Sequence, residues 1–176
     1  MTSPLWTPSP KAVETSAVRA FMDFASQRAG RSFGGYAELH RWSVEDREGF
    51  WSAVWDDAGV IGDKGERVLE NGNAMPGADF FPDAKLNFAE NLLRQTGPGE
   101  AIVFQGEDKV TRRLSWDDLH ALVSRLQQAM VANGVKAGDR VAAMIPNMPE
   151  AVAGMLAASS IGAIWSSCSP NFGPKG

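Results

Sequence analysis

A single cysteine, Cys168, excludes any intramolecular disulfide, and only two histidines, His40 and His120, accompany it. One thiol and two imidazoles at these positions match no structural zinc spacing. Basic residues are also scarce: 17 Lys and Arg stand against 21 Asp and Glu, a formal net charge of −4. Only Arg112-Arg113 sets two side by side. Neutralising a phosphate backbone needs a clustered basic excess, so no nucleic-acid partner is expected. No long apolar run occurs. The best stretch, Ala151 to Trp165, is broken by Gly154, Ser159, Ser160 and Gly162, and it is too short to span a bilayer. Met1 to Pro10 carries three prolines and no basic region followed by an apolar one, so it does not read as a secretory signal. These absences predict a soluble, cytoplasmic protein with no membrane span.

What is present is globular. Of 176 residues, 44% are hydrophobic and 22% charged, unlike a disordered tail. A compact chain of this size buries roughly 70% of its unfolded surface. The first ten residues read as a flexible Pro/Ser/Thr lead-in. Val18, Phe21, Met22 and Ala25 then recur at helical spacing, predicting a helix over 11–29 stopped by Gly30. After the Gly34-Gly35 loop a helical stretch begins near Tyr36. Ser43 and Asp46 have capping-box spacing, so a restart is expected at Ser43, with Trp51, Val54, Trp55 and Ala58 as one apolar stripe. A short strand is possible at Arg67-Val68-Leu69, and Asn87 with Glu90 repeats the cap spacing before Leu92 and Leu93.

The character changes at Gly97-Pro98-Gly99. Ala101–Phe104 and Val110–Leu114 read as a hairpin about Gly106-Glu107-Asp108. Ser115 and Asp118 cap a helix ending at Asn133-Gly134. Val141–Ile145 reads as a buried strand, Pro149 opens an alanine-rich helix as its first residue, and Ala163–Cys168 forms the next strand. Strand, helix, strand is a βαβ unit with parallel strands. The fold class is therefore α/β: a helical segment over 11–96, then from 97 to 176 a sheet of two parallel strands and a hairpin that looks unfinished. Such a sheet leaves an edge without cover, through which self-association is possible.

Motif chemistry offers no active site. No Gly-Lys pair supplies a Walker A loop, no strand feeds a G-x-G-x-x-G turn, and no G-x-S-x-G elbow is expected. Gly173-Pro174-Lys175-Gly176 suggests a phosphate loop only superficially and reads better as a frayed terminus. Cys168, in an apolar strand, reads as a small core residue before a nucleophile. His120, between Leu119 and Leu122, reads as a partly exposed helix residue before a base. Phe50, Trp51 and Trp55 read as core packing before a cofactor stack, Asp117-Asp118 as partners of a helix dipole, and Lys85 as a solvated loop side chain.

Several strings are specific in combination. Tyr36-Ala-Glu-Leu-His-Arg-Trp-Ser-Val44, Phe50-Trp51 and Phe80-Phe-Pro-Asp-Ala-Lys-Leu-Asn-Phe-Ala-Glu-Asn-Leu-Leu93 resemble the N-terminal region of acetyl-CoA-synthetase-like enzymes. Gly134-Val-Lys-Ala-Gly-Asp-Arg-Val141, Ile145-Pro-Asn-Met-Pro-Glu150 and Ile161-Gly-Ala-Ile-Trp-Ser-Ser-Cys-Ser-Pro-Asn-Phe-Gly173 resemble the opening of the adenylate-forming domain of that family. Trp165-Ser-Ser-Cys-Ser-Pro170 points to the acetoacetate branch more than the acetate branch.

The resemblance implies the N-terminal part of an ATP-dependent acid–CoA ligase. In such a ligase a short-chain acid attacks the α-phosphate of ATP, and CoA then displaces AMP from the acyl-adenylate. Its cofactors are ATP, CoA and Mg²⁺. The chemistry demands a Gly/Ser/Thr-rich phosphate loop, an acid for the ribose and a lysine on a mobile C-terminal domain. None of these is in this sequence, so no catalytic residue and no metal ligand is carried over, and the chain alone is expected to bind none of the cofactors and to be inactive. Asn171, Phe172 and Gly173 alone match a family feature, the loop that borders the CoA pantetheine channel. The alternatives are a non-catalytic interaction module of the same ancestry, or a ligase for another short-chain acid such as acetate.

Overall fold

The computed structural model describes residues 5–107 and 109–172. They form two compact units, Met1–Lys85 and Leu86–Gly176.

The first unit is built on helices. The stretch expected as one helix from Lys11 is two, α1 (Pro10–Glu14) and α2 (Ala17–Ala29). The break has a local cause. The Ser16 hydroxyl donates to the Val13 carbonyl at 2.8 Å and accepts from the Arg19 N–H at 3.2 Å, closing one helix and capping the next. Gly30 ends α2 at φ 62°, a left-handed position that suits glycine. α3 (Tyr36–Glu45) and α4 (Arg47–Asp57) follow.

The restart between them falls at Asp46, not Ser43. Asp46 accepts from the Gly49 N–H and from Trp42 Nε1, each at 3.0 Å. The Ser43 hydroxyl instead bonds back to the His40 carbonyl at 2.7 Å. A carboxylate satisfying two donors at a positive helix end outcompetes a hydroxyl engaged within its own helix. Met22, Ala25, Phe33, Leu39, Trp42 and Ala53 form the core, with Phe21, Phe24 and Phe50 packed against it. The face of α4 turned inward is therefore that of Ala53, and Trp51 lies 40% exposed.

Beyond α4 the strands are short. β1 (Gly62–Asp63) precedes β2 (Leu69–Glu70), two residues later than expected. β2 pairs antiparallel with β3 (Asp79–Phe80). Arg67 fastens this region through Asp83: its Nε donates to Oδ2 at 2.9 Å and its Nη2 to Oδ1 at 2.5 Å. Gly65, at φ +71°, is required where it stands, because a Cβ there would lie 2.4 Å from Asp83 Cβ. β4 (Lys85–Leu86) spans the division between the units.

The second unit opens with α5 (Phe88–Leu92), capped by Asn87, whose amide oxygen accepts from the Glu90 N–H at 3.2 Å. β5 (Glu100–Gly106) and β6 (Val110–Ser115) form the expected hairpin, antiparallel with a register shift between Glu100 and Ile102. Asp108, expected in its turn, lies outside the described residues. α6 (Trp116–Ala132) starts on a complete capping box of Ser115 and Asp118. β7 (Arg140–Met144), α7 (Pro149–Ser160) and β8 (Ile164–Cys168) make the βαβ unit, its strands parallel and Pro149 at the first helical turn.

Two differences from expectation stand out. The hairpin and the parallel pair are separate two-stranded sheets, not one. β7, expected buried, alternates between exposed and half-buried residues. Helix α7 turns Ala153, Leu156 and Ala157 into a core shared with Leu119 and Val123 of α6 and meets one face of the pair through Gly154 against Trp165; the other face is open among the described residues.

Candidate functional site

Ligands of parallel α/β sheets bind beyond the carboxyl ends of the strands. Here β7 and β8 are in register from Arg140 opposite Ile164 to Met144 opposite Cys168. The ladder continues one step further, where the Ile145 N–H donates to the Cys168 carbonyl at 3.1 Å. Both chains then leave the sheet. After β7 the path is set by proline: Pro146 follows Ile145, and Pro149 enters α7 with its missing N–H at a position that needs none. After β8 the chain folds on Ser169. Its hydroxyl accepts from the Asn171 N–H at 3.2 Å and its carbonyl from the Phe172 N–H at 3.1 Å.

This turn presents Asn171 and Phe172 to solvent, with Phe172 58% exposed. Gly173 lies outside the described residues. An amide and a flat apolar ring hold no titratable group, so the turn can line a ligand channel but cannot transfer a proton.

The exposed sheet face carries Met144 (68% exposed), Ile164 (52% exposed) and Cys168. Cys168 is therefore not the core residue the sequence suggested. It stands beside Met144 on the side of the strands that α7 does not cover. The opposite face holds the half-buried Val141, Ala143 and Trp165, with Gly154 of α7 against the Trp165 ring.

One carboxylate lies just past the carboxyl end of β7. Glu150, in the first turn of α7, accepts from Arg112 Nη1 at 2.6 Å. That bond holds the Glu150 carboxyl below its ordinary value, against the opposing effect of desolvation. Its other oxygen, Oε2, is buried without a hydrogen-bond partner among the described residues. A carboxylate kept ionised in this way is an anchor for the hairpin and not a proton donor. Sequence reading missed it because its partner is 38 residues away.

The remaining candidates are structural. His120 bonds the Gln95 carbonyl at 2.8 Å; a carbonyl only accepts, so Nε2 is the protonated nitrogen. Asp117 accepts from the Gly97 N–H at 2.7 Å. Asp118 serves the capping box, and the Ser115 hydroxyl holds its carboxyl below the ordinary value. Phe50 packs edge-on to Trp42 with ring centroids 5.7 Å apart, Trp51 meets Phe80 at 5.4 Å and Trp55 meets Phe81 at 4.9 Å. Lys85 is exposed, on β4 and not in a loop.

The letters of a nucleophile elbow, expected to be absent, do occur at Gly30-Arg31-Ser32-Phe33-Gly34. They join α2 to α3 and not a strand to a helix, so the strained turn that exposes a nucleophilic serine is missing. Among the described residues no group of three His, Cys, Asp or Glu side chains gathers to hold a metal. No helix among them is long and apolar enough to cross a membrane.

A parallel βαβ pair, a Pro-directed exit after β7 and an exposed turn after β8 describe the opening of an adenylate-forming domain. The family described as AMP-binding enzyme matches residues 89–176, half the chain, and the family described as acetyl-coenzyme A synthetase N-terminus matches residues 36–92. The chain belongs to the AMP-binding enzyme family.

Among its relatives, acetoacetyl-coenzyme A synthetase of Rhizobium meliloti (strain 1021) is 60% identical over 98% of this chain and 27% of its own. Malonamoyl-CoA synthetase of Penicillium aethiopicum is 36% identical over 98% of this chain and 25% of its own. The solved acetoacetyl-CoA synthetase from Streptomyces lividans superposes with a TM-score of 0.90 at 37% identity, over 99% of this chain and 28% of that one. The chain thus spans about a quarter of the length of the relatives it matches.

Proposed function

We propose that this chain serves as the N-terminal part of an ATP-dependent acid–CoA ligase that activates acetoacetate through an acyl-adenylate. The observation that carries this reading is 60% identity to an acetoacetyl-coenzyme A synthetase along nearly the whole chain. Two names among the relatives narrow the acid to a chemical class. Acetoacetate and malonamate both place a carbonyl β to the carboxylate and differ only in a terminal methyl or amino group. A short β-carbonyl acid is the substrate class they share.

Within that ligase the described residues build and orient; none of them transfers a proton or carries the adenylate. In this reading Asn171 and Phe172 line the pantetheine arm of CoA, a role supported by their exposure in the turn after β8. The sequence holds no Walker A or G-x-G-x-x-G loop for the phosphates of ATP. Among the described residues no side-chain cluster fits Mg²⁺, and no step is assigned to either group through these residues. The open face of β7 and β8 is a surface for burial against further chain, and in the isolated chain for self-association.

A chimera tests the reading. With this chain replacing the corresponding quarter of the Rhizobium meliloti relative, pyrophosphate release should require ATP and acetoacetate, and its continuation beyond one turnover should require CoA. Turnover with acetate but not acetoacetate would overturn the substrate assignment. In the same chimera, Phe172→Ala should raise KM for CoA severalfold and leave KM for ATP unchanged; the reverse pattern would remove the turn from the CoA path.

A further inference from the structure

The chain turns after β8 over Ser169-Pro170-Asn171-Phe172, and each backbone N–H that follows Ser169 in this turn is accounted for. Pro170 has none. The Asn171 N–H donates to the Ser169 hydroxyl oxygen at 3.2 Å, and the Phe172 N–H donates to the Ser169 carbonyl at 3.1 Å. Serine at the first position and proline at the second suit such a turn. The hydroxyl reaches the backbone two residues on, and the ring presets φ. Ser169 thus closes the turn with both its side chain and its main chain. It is half-buried, whereas Pro170, Asn171 and Phe172 are exposed.

The point from which the turn departs is also fixed. The Cys168 carbonyl accepts from the Ile145 N–H at 3.1 Å, which ties the end of β8 to the exit of β7. Further back on β8, the Trp165 ring lies against Gly154 of α7. Beyond Cys168, the two bonds to Ser169 are the hydrogen bonds that shape the turn among the described residues.

A turn whose N–H groups are already bonded has none left to cradle an anion. What it offers outward is the Asn171 carboxamide, which both donates and accepts, and the apolar Phe172 ring. That pair suits a neutral, amide-bearing chain with apolar segments, which is the chemistry of a pantetheine arm and not of a phosphate.

We infer that Ser169 is the positioning residue of this turn, holding the Asn171 carboxamide where it pairs with an amide of the pantetheine arm. This inference rests on the ligase reading proposed above and assigns that reading two further roles. Ser169 acts through the backbone of Asn171 and Phe172, and Asn171 recognises the arm by hydrogen bonding.

The chimera with the Rhizobium meliloti relative tests it. Ser169→Ala should raise KM for CoA roughly threefold to tenfold, the share of one hydrogen bond. Its kcat should be unchanged, as should acetoacetate-dependent exchange of pyrophosphate into ATP, which needs no CoA. Ser169→Thr keeps the acceptor and should restore KM. Asn171→Ala should raise KM to a similar degree whether the thiol is CoA or pantetheine. An unchanged KM in Ser169→Ala, or a rise that Ser169→Thr does not reverse, would overturn the positioning role. A rise for Asn171→Ala with CoA but not with pantetheine would move the contact to the nucleotide end and overturn the amide pairing. Absence of exchange in the unsubstituted chimera would instead overturn the ligase reading, and this inference with it.

Discussion

Gly154 of α7 lies so close to the ring of Trp165 on β8 that a Cβ added there would stand 2.8 Å from Cη2 and 3.1 Å from Cζ3. Helix and strand of the βαβ unit are in contact through the absence of a side chain on one and the largest available ring on the other. Replacing Gly154 by Ala gains about 1 kcal/mol of helix propensity and meets about 1–3 kcal/mol of overpacking. The two substitutions Gly154→Ala and Trp165→Phe should therefore couple. In urea denaturation, the double variant should be more stable than the sum of the single effects implies. Simple additivity would show that the ring moves aside without cost.

Asn87 does two jobs with one amide. Its oxygen caps α5, and its nitrogen donates to the Ser159 and Ser160 carbonyls at the end of α7, at 3.1 and 3.2 Å. Asn87→Ala should cost about 1–3 kcal/mol in urea denaturation. Asn87→Asp keeps the cap but sets a carboxylate against two carbonyl oxygens. It should be destabilised at pH 7 and recover partly near pH 3, where the protonated acid can donate. A pH-independent loss would show that the cap alone matters.

The Glu150 carboxyl is depressed by the Arg112 hydrogen bond. Its contribution to stability is present above the ordinary carboxylate value of 4.5 and is lost as pH falls through the lower folded value. Denaturation midpoints measured from pH 6 down to pH 3 should fall less steeply for Glu150→Gln than for the unaltered chain. Parallel curves would remove Glu150 from the acid response.

Cys168 is exposed at the end of β8. A thiol reagent should label it in the native chain at a rate close to that in urea. Protection that disappears only on dilution or unfolding would reveal self-association through the open sheet face.

Much of this fold was legible from local signals. The Ser115 capping box, the left-handed Gly30, Pro149 at a helix start and the hairpin each depend on a few neighbouring residues whose chemistry allows one good answer. The Asp46 restart was harder, because Ser43 and Asp46 share a spacing, and the indole N–H of Trp42, one turn away, tips the choice. Exposure was the least legible property. An apolar strand reads as buried, and Cys168 with it, because periodicity cannot tell which of two sheet faces has a cover. The candidate site came from matched strings and not from chemistry: Asn171 and Phe172 titrate nothing, and no spacing rule distinguishes them. The Glu150–Arg112 pair stayed hidden because it joins residues from different elements.

The Asn87 amide and the carbonyls it holds are 72 and 73 residues apart in the chain. During synthesis the start of α5 leaves the ribosome long before Ser159 and Ser160 are made. For that interval a five-residue helix has its cap but no anchor, and a helix so short does not persist alone in water. The anchor of α5 within the second unit therefore forms late, with the completion of α7. Translation pauses before Ser160 would prolong the life of an unanchored α5.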